Sequence, residues 1–415
     1  MPSVAEFPVL PRIDGIEPVP AHVPPELVRP FPYVLGATSK ARPHGFIKAI
    51  HEGPEVFWAE RCFNGLRGAW VVRGLEALQQ IYQDTEHYTA CGLVPFATLI
   101  GDRWHLALLE TDPPVHSLLR AAINPLFTPR RVAELEDRIR IYAREDILAF
   151  RDRGACEFMN DFAFEFPVKV FLELMGLPQS GAKQFLAWGH GLLHEPDIEK
   201  IKDATRALVA FLRAQIAERR VDPRDDFITF GLKVEVEGRK LDDDELIGFC
   251  VNLFLGGLDT VSSNISMQFL HLAERPDHQA VLRANPAMIP DAIEEMIRAY
   301  ATVATSRECI KETRIGEVTV KPGDKVHLAT FLAGRDPAAY PNPDEVILDR
   351  KPRHISFGYG PHLCIGMHLA RREMRIAMEE MLAGLPEFRL RPGAEIEYYL
   401  AAVIQPVELP LIWRV

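Results

Sequence analysis

Hydrophobic and polar positions follow different spacings in different parts of the chain, and the changes of spacing predict its elements. Prolines crowd the first thirty residues, as in PVPAHVPPELVRPFP, so an extended arm over about 1–32 is expected there rather than a helix. Short runs with strand character follow, notably GAWVVR at 68–73. From about Pro114 the spacing becomes helical, through VHSLLRAAINPLF, VAELEDRIRIYAREDILAF and FPVKVFLELMGL. The stretch ELIGFCVNLFLGGLDTVSSNISMQFLHLAE is apolar nearly all round and stops at Arg275 and Pro276, which predicts a buried central helix. The acidic residues Asp242, Asp243, Asp244 and Glu245 stand where that helix starts. Carboxylates there cap free N–H groups and oppose the helix dipole, so they are read as caps rather than metal ligands.

Beyond it, AMIPDAIEEMIRAY predicts another helix, and RIGEVTVKPGDKVHLAT two strands split by a Pro-Gly turn. A loop punctuated by Pro337, Pro341, Pro343 and Pro352 leads to residues 357–366, then to a helix from about Cys364 that must end before Pro386. The C-terminal YYLAAVIQPVELPLIWRV reads as strands. With no repeat and no linker, the expectation is a mainly α chain with a smaller β-rich part (α+β), forming one domain over 1–415.

Composition changes this picture little. At 47% hydrophobic and 25% charged residues, the chain can bury a large core. A formal net charge of −11 argues against nucleic acid as a main partner, because phosphate binding needs a basic surface. The start lacks a signal-peptide pattern and no uninterrupted apolar run suggests a membrane span, so a soluble, cytoplasmic protein is expected.

Chemistry enters with the cysteines. Cys62, Cys91, Cys156, Cys250, Cys309 and Cys364 are scattered singly, which fits neither a disulfide scaffold nor a zinc ribbon. Cys364 differs in its setting, FGYGPHLCIG over 357–366, at the mouth of a predicted helix. Helix N–H groups favour a thiolate there, and Gly358, Gly360 and Gly366 let a flat ligand approach the backbone.

This loop resembles the haem-binding loop of the cytochrome P450 superfamily, F-G-x-G-x-H-x-C-x-G, at every fixed position: Phe357, Gly358, Gly360, His362, Cys364 and Gly366. The resemblance implies the P450 fold, with haem b buried between the central helix and the cysteine-loop helix, and Cys364 as the axial thiolate that favours O–O cleavage. Glu295 and Arg298 match the superfamily's structural E-x-x-R pair, which locks to an arginine of the proline-rich loop, Arg350 or Arg353. Gly256 and Gly257 interrupt the central helix at a cost of roughly 1 kcal/mol each. In the resemblance they form the oxygen-binding groove, with Asp259 and Thr260 as the acid and alcohol that relay protons. His116 and Arg120, with Arg307 and His362, are implied to hold the haem propionates. His190 and His194, also four apart, lack a third ligand and are read as a surface or pocket-rim pair.

The apolar loop at 91–109 would roof the pocket, placing Phe96, Trp104, Leu253, Leu255, Val303 and Val403 against a compact hydrophobic substrate. AHVPPELV, GGLDTV, HLARRE and ELPLIW look most like the bacterial camphor-hydroxylating group. That group holds its ketone with a roof-loop tyrosine, whereas Trp104 stands near that place here, so another terpenoid, a norisoprenoid or a cyclic hydrocarbon is as good a fit. The implied activity is monooxygenation of an unactivated C–H bond with O2. Electrons would come from a [2Fe-2S] ferredoxin and its reductase, meeting a monomer at a basic patch of Arg120, Arg371 and Arg372. A haem-thiolate peroxygenase and a non-catalytic haem sensor are the alternatives.

Overall fold

A computed structural model of the protein describes residues 15–33, 37–63, 66–195, 197–400 and 403–415. About half of the chain is helical, as its spacing predicts. The arm beyond residue 14 runs extended apart from a short turn at Pro25–Leu27, and it is packed down: Val23, Phe31 and Tyr33 are buried. Residues 1–14 of the predicted arm lie outside the described residues.

The helix Asp243–Glu274 is the axis of the fold, roughly 48 Å long at 1.5 Å per residue. Asp242 caps it, its side chain accepting from the Glu245 N–H while Glu245 reaches back to the Asp242 N–H. The acidic cluster thus acts as a helix start. Length and apolarity would let this helix cross a bilayer, but most of it is buried inside the protein, as in a core helix. Its first half packs with Phe171, Phe185 and Leu212, and its second half with Phe158, Phe162 and Met378, so one rod joins two hydrophobic clusters.

The β-rich part is built around a five-stranded sheet in the order Val56–Phe63, Arg67–Val72, Lys325–Ala329, Ala304–Cys309, Tyr88–Thr89. Arg67–Val72 and Lys325–Ala329 run parallel, and the other neighbours are antiparallel. Ala304–Cys309 carries Thr305 and Arg307 to one side of the central helix. The helix Met367–Gly384 closes the other side and packs against Glu136–Phe150.

Candidate functional site

Residues 357–366 fold as a tight loop because two glycines take conformations that residues with a Cβ rarely adopt. Gly358 has φ +76° and Gly360 φ +66°. A Cβ at Gly360 would also stand 2.9 Å from the Tyr82 carbonyl oxygen. The Cys364 N–H donates to the Phe357 carbonyl at 2.8 Å, closing the loop back on itself. Gly366 has an ordinary φ of −82° and caps the helix that starts at Met367, slightly later than the predicted start at about Cys364.

Cys364 is enclosed by protein, yet its side chain is open to an internal cavity. Burial pushes its thiol pKa up, against the opposing pull of the Gly366 and Met367 N–H groups, Arg120 and Arg371. The expectation of an easily ionised thiol therefore holds only for the direction of the backbone contribution. A metal ion, which deprotonates a coordinating thiol outright, would supply what this pocket lacks.

The cavity, with its open mouth included, holds about 1450 Å³ of space not filled by protein atoms. Cys364 lines one wall, and Gly256, Gly257 and Thr260 of the central helix line another. A Cβ at Gly256 would meet nothing within 4 Å, so the protein itself does not fill this groove.

Arg120, Arg307 and His362 line the cavity and His116 stacks behind His362, and none of the four makes an ion pair among the described residues. His116 is buried with neither ring nitrogen bonded. It stacks 4.3 Å from His362, whose Nδ1 meets the Leu108 carbonyl at 2.9 Å. Arg307 is 5% exposed, and among the described residues it donates only to the Ser306 carbonyl and Arg120 only to that of Pro361. Burial, with Arg120 beside it, pushes the His116 pKa down to about 4, and burial with Arg307 and His116 pushes His362 down to about 3. The two arginines, held in the protein without a carboxylate among the described residues, call for anions. The two carboxylates of haem fit them, as the thiol and the bare groove fit its iron and flat ring.

The acid and alcohol of the central helix face different ways. Thr260 lines the cavity, but its hydroxyl donates to the Gly256 carbonyl at 2.6 Å. Asp259 is buried outside the cavity lining, and its Oδ1 meets His194 Nε2 at 2.8 Å. His194 stacks on His190 with ring centres 5.6 Å apart. One member of the supposed rim pair is therefore the partner of Asp259. The spacing signalled a shared face; a buried carboxylate in need of a donor was the missed clue.

Glu295 and Arg298 are fully buried and doubly bonded, at 2.7 and 2.8 Å. Arg350 is the third member, its Nε 2.9 Å from Glu295 Oε1, while Arg353 offers only its carbonyl, to Tyr340. Burial would raise the Glu295 pKa; the bonds from Arg298, the Ile347 N–H and Arg350 outweigh it and hold the carboxyl low. Arg298 also donates to the carbonyls of Gly334, Pro343 and Glu345, tying the proline-rich loop to its helix.

The predicted substrate wall is only partly assembled. Leu253 and Val303 line the cavity; Phe96, Trp104, Leu255 and Val403 do not. Trp104 is buried with its indole N–H given to Asp102 at 3.0 Å, and Asp102 also holds Arg213, so the residue fastens the roof loop to Ile198–Val221. Phe96 and Leu255 pack into the cluster around the first half of the central helix. Val403 backs Val303 through a β-bridge. Sequence reasoning missed Asn252, Tyr82, Thr305 and Asn264, which do line the space.

The expected basic patch does not form. Arg371 is bound to Glu294 at 2.6 and 2.8 Å, Arg372 pairs with Glu136, and Arg120 lines the cavity. These charges are neutralised or turned inward.

Known proteins place this architecture. A family model described as Cytochrome P450 matches residues 184–397. The chain is 38% identical over 384 residues to a probable cytochrome P450 127A1 of Sinorhizobium fredii, covering 91% of this chain and 92% of that one. It is 34% identical over 360 residues to an erythromycin C-12 hydroxylase of Saccharopolyspora erythraea, covering 83% and 89%. Among solved structures, CYP101J2 superposes with a TM-score of 0.87 at 30% identity, over 96% of this chain and all of that one. CYP101C1 superposes with a TM-score of 0.86 at 32% identity over the same shares. With a cysteine loop, a bare helix groove and a cationic pocket end in one such fold, the chain belongs to the cytochrome P450 family, monooxygenases that use haem b held by a cysteine thiolate.

Proposed function

We propose that this protein hydroxylates an unactivated C–H bond of a small hydrophobic molecule, a terpenoid, norisoprenoid or cyclic hydrocarbon, with O2 and electrons from a [2Fe-2S] ferredoxin and its reductase. The observation that carries the reading is that Cys364 and Thr260 line one cavity together with Arg120 and Arg307, which have no carboxylate partner among the described residues. Haem bound there would supply the activation of oxygen.

The chain's own residues have the remaining tasks. Cys364 would hold the haem iron through its sulfur. Phe357, Gly358 and Gly366 shape the loop around it, Arg120 and Arg307 would neutralise the propionates, and His116 and His362 complete the shell around them. Apolar side chains such as Leu253 and Val303 keep water out and favour a hydrophobic guest. Thr260 presents a hydroxyl at the groove, and Asp259, held by His194, stands one residue away as the acid behind it. Glu295, Arg298 and Arg350 are structural. The chain acts as one domain, since the central helix is shared by both large clusters, and is taken as a cytoplasmic monomer.

The test is the spectrum of the reduced, CO-bound holoprotein. A red-shifted thiolate band that disappears in Cys364→Ala is expected; no band, or one that survives the substitution, defeats the reading. NADH oxidation through a reconstituted ferredoxin chain should yield an oxygenated product. Equal rates with hydrogen peroxide alone would make the protein a peroxygenase instead.

A further inference from the structure

Trp104 stands near the place where the resemblance puts a ketone-holding tyrosine, but its N–H is committed to Asp102. The cavity's other neutral polar groups are almost all committed too. The Tyr82 hydroxyl meets Thr305 at 3.0 Å, and Thr260, Thr330 and Ser356 donate to backbone carbonyls. Asn264 gives its amide N–H to the Thr260 carbonyl and to Thr302, at 2.9 Å each. Asn264 Oδ1 lacks a partner but is sealed from any surface a guest could touch; Glu373 is an acid that makes no hydrogen bond among the described residues, and of its two oxygens only Oε2 is sealed.

Asn252 differs. It lines the cavity, it is not among the sealed atoms, and neither its amide N–H nor its carbonyl oxygen has a hydrogen-bond partner among the described residues. It stands four residues before Gly256 and eight before Thr260, on one stripe of the central helix, about 6 Å along the axis from Gly256. Asparagine is a poor helix former, and here it interrupts the apolar run FCVNLFL. An uncommitted amide at such a place costs stability and earns nothing within the fold.

We infer that Asn252 is the polar anchor of the substrate site, and that the substrate carries a carbonyl or hydroxyl oxygen on its hydrophobic skeleton. The amide can donate to a ketone, or donate to and accept from an alcohol. This inference rests on the monooxygenase reading and narrows its substrate class from hydrocarbons to their oxygenated relatives.

The test is optical titration of the haem-loaded protein, following the spin-state shift as guest displaces water. The probes are a bicyclic monoterpene ketone, the corresponding alcohol and the parent hydrocarbon. The ketone or the alcohol should bind about tenfold more tightly than the hydrocarbon, the worth of one hydrogen bond. Asn252→Leu should remove that preference while leaving hydrocarbon affinity within about twofold, and Asn252→Ala should remove it without adding bulk. Equal affinities in the native protein, equal weakening of all three probes in both variants, or no shift with any probe overturns the anchor. The CO-bound spectrum of the same samples separates the two claims: a thiolate band without the preference rejects only Asn252, whereas no band rejects the monooxygenase reading itself.

Discussion

Asp259 Oδ1 and His194 Nε2 lie 2.8 Å apart, and this bond holds the carboxylate of the central helix away from the cavity that its neighbour Thr260 faces. The acid of the proposed proton relay thus rests against an imidazole that is itself only slightly exposed. Delivery of a proton to the groove needs this bond to loosen or to pass the proton through Thr260.

Both variants of the pair follow from that arrangement. Thr260→Ala should still draw electrons from the reductase while releasing hydrogen peroxide, with product per electron falling about tenfold or more. Asp259→Asn, which keeps the shape and removes the acid, should slow turnover by roughly a hundredfold. Product and peroxide measured together decide the matter. Full coupling at the native rate in both variants removes the pair from proton delivery.

Glu295→Gln should be severe although it touches no part of the cavity. It leaves the guanidinium of fully buried Arg298 without its carboxylate, a loss of about 3–5 kcal/mol for a broken buried pair. The expected outcome is a large fall in Tm with poor haem incorporation. A Tm within a few degrees of native would mean that the backbone carbonyls around Arg298 suffice.

Arg307→Leu tests the cationic end. Its side chain is buried with no carboxylate among the described residues, so removing it should do little harm to the fold without haem. With haem bound, losing a charge-assisted bond should speed haem transfer to excess apomyoglobin by roughly tenfold to a hundredfold. Unchanged transfer would show that Arg307 does not contact the cofactor.

The buried histidines predict acid sensitivity. Burial pushes His327 down to about 4, and its Nε2 has no partner beneath Phe31, whose ring packs 5.5 Å away. An unfolded histidine titrates near about 6.5. The unfolded chain therefore binds more protons between these values, so stability is complete above about 6.5 and is lost as pH falls toward 4. His327→Phe should flatten part of this slope when Tm is followed from pH 7 to pH 4.5. A slope identical to native would place the acid sensitivity elsewhere, His44 and His271 being lowered by burial in the same way.

What is local in this protein can be read from consecutive residues. The loop around Cys364 depends on glycines at positive φ and on a helix start a few residues later, and both are written in consecutive residues. The capped apolar helix and the Glu295 and Arg298 pair, one turn apart, are of the same kind. Spacing of three or four residues puts side chains on one face, but it does not say what that face meets. Only the tertiary structure could choose Arg350 over Arg353, give His194 to Asp259, and bind Arg371 and Arg372 to acids from other helices. It also withdrew Trp104, Phe96, Leu255 and Val403 from the pocket wall and exposed Asn252 there. The physical reason is that a side chain's partner is set by the packing of segments far apart in the chain, where each buried polar group takes the nearest complement that its neighbours leave free.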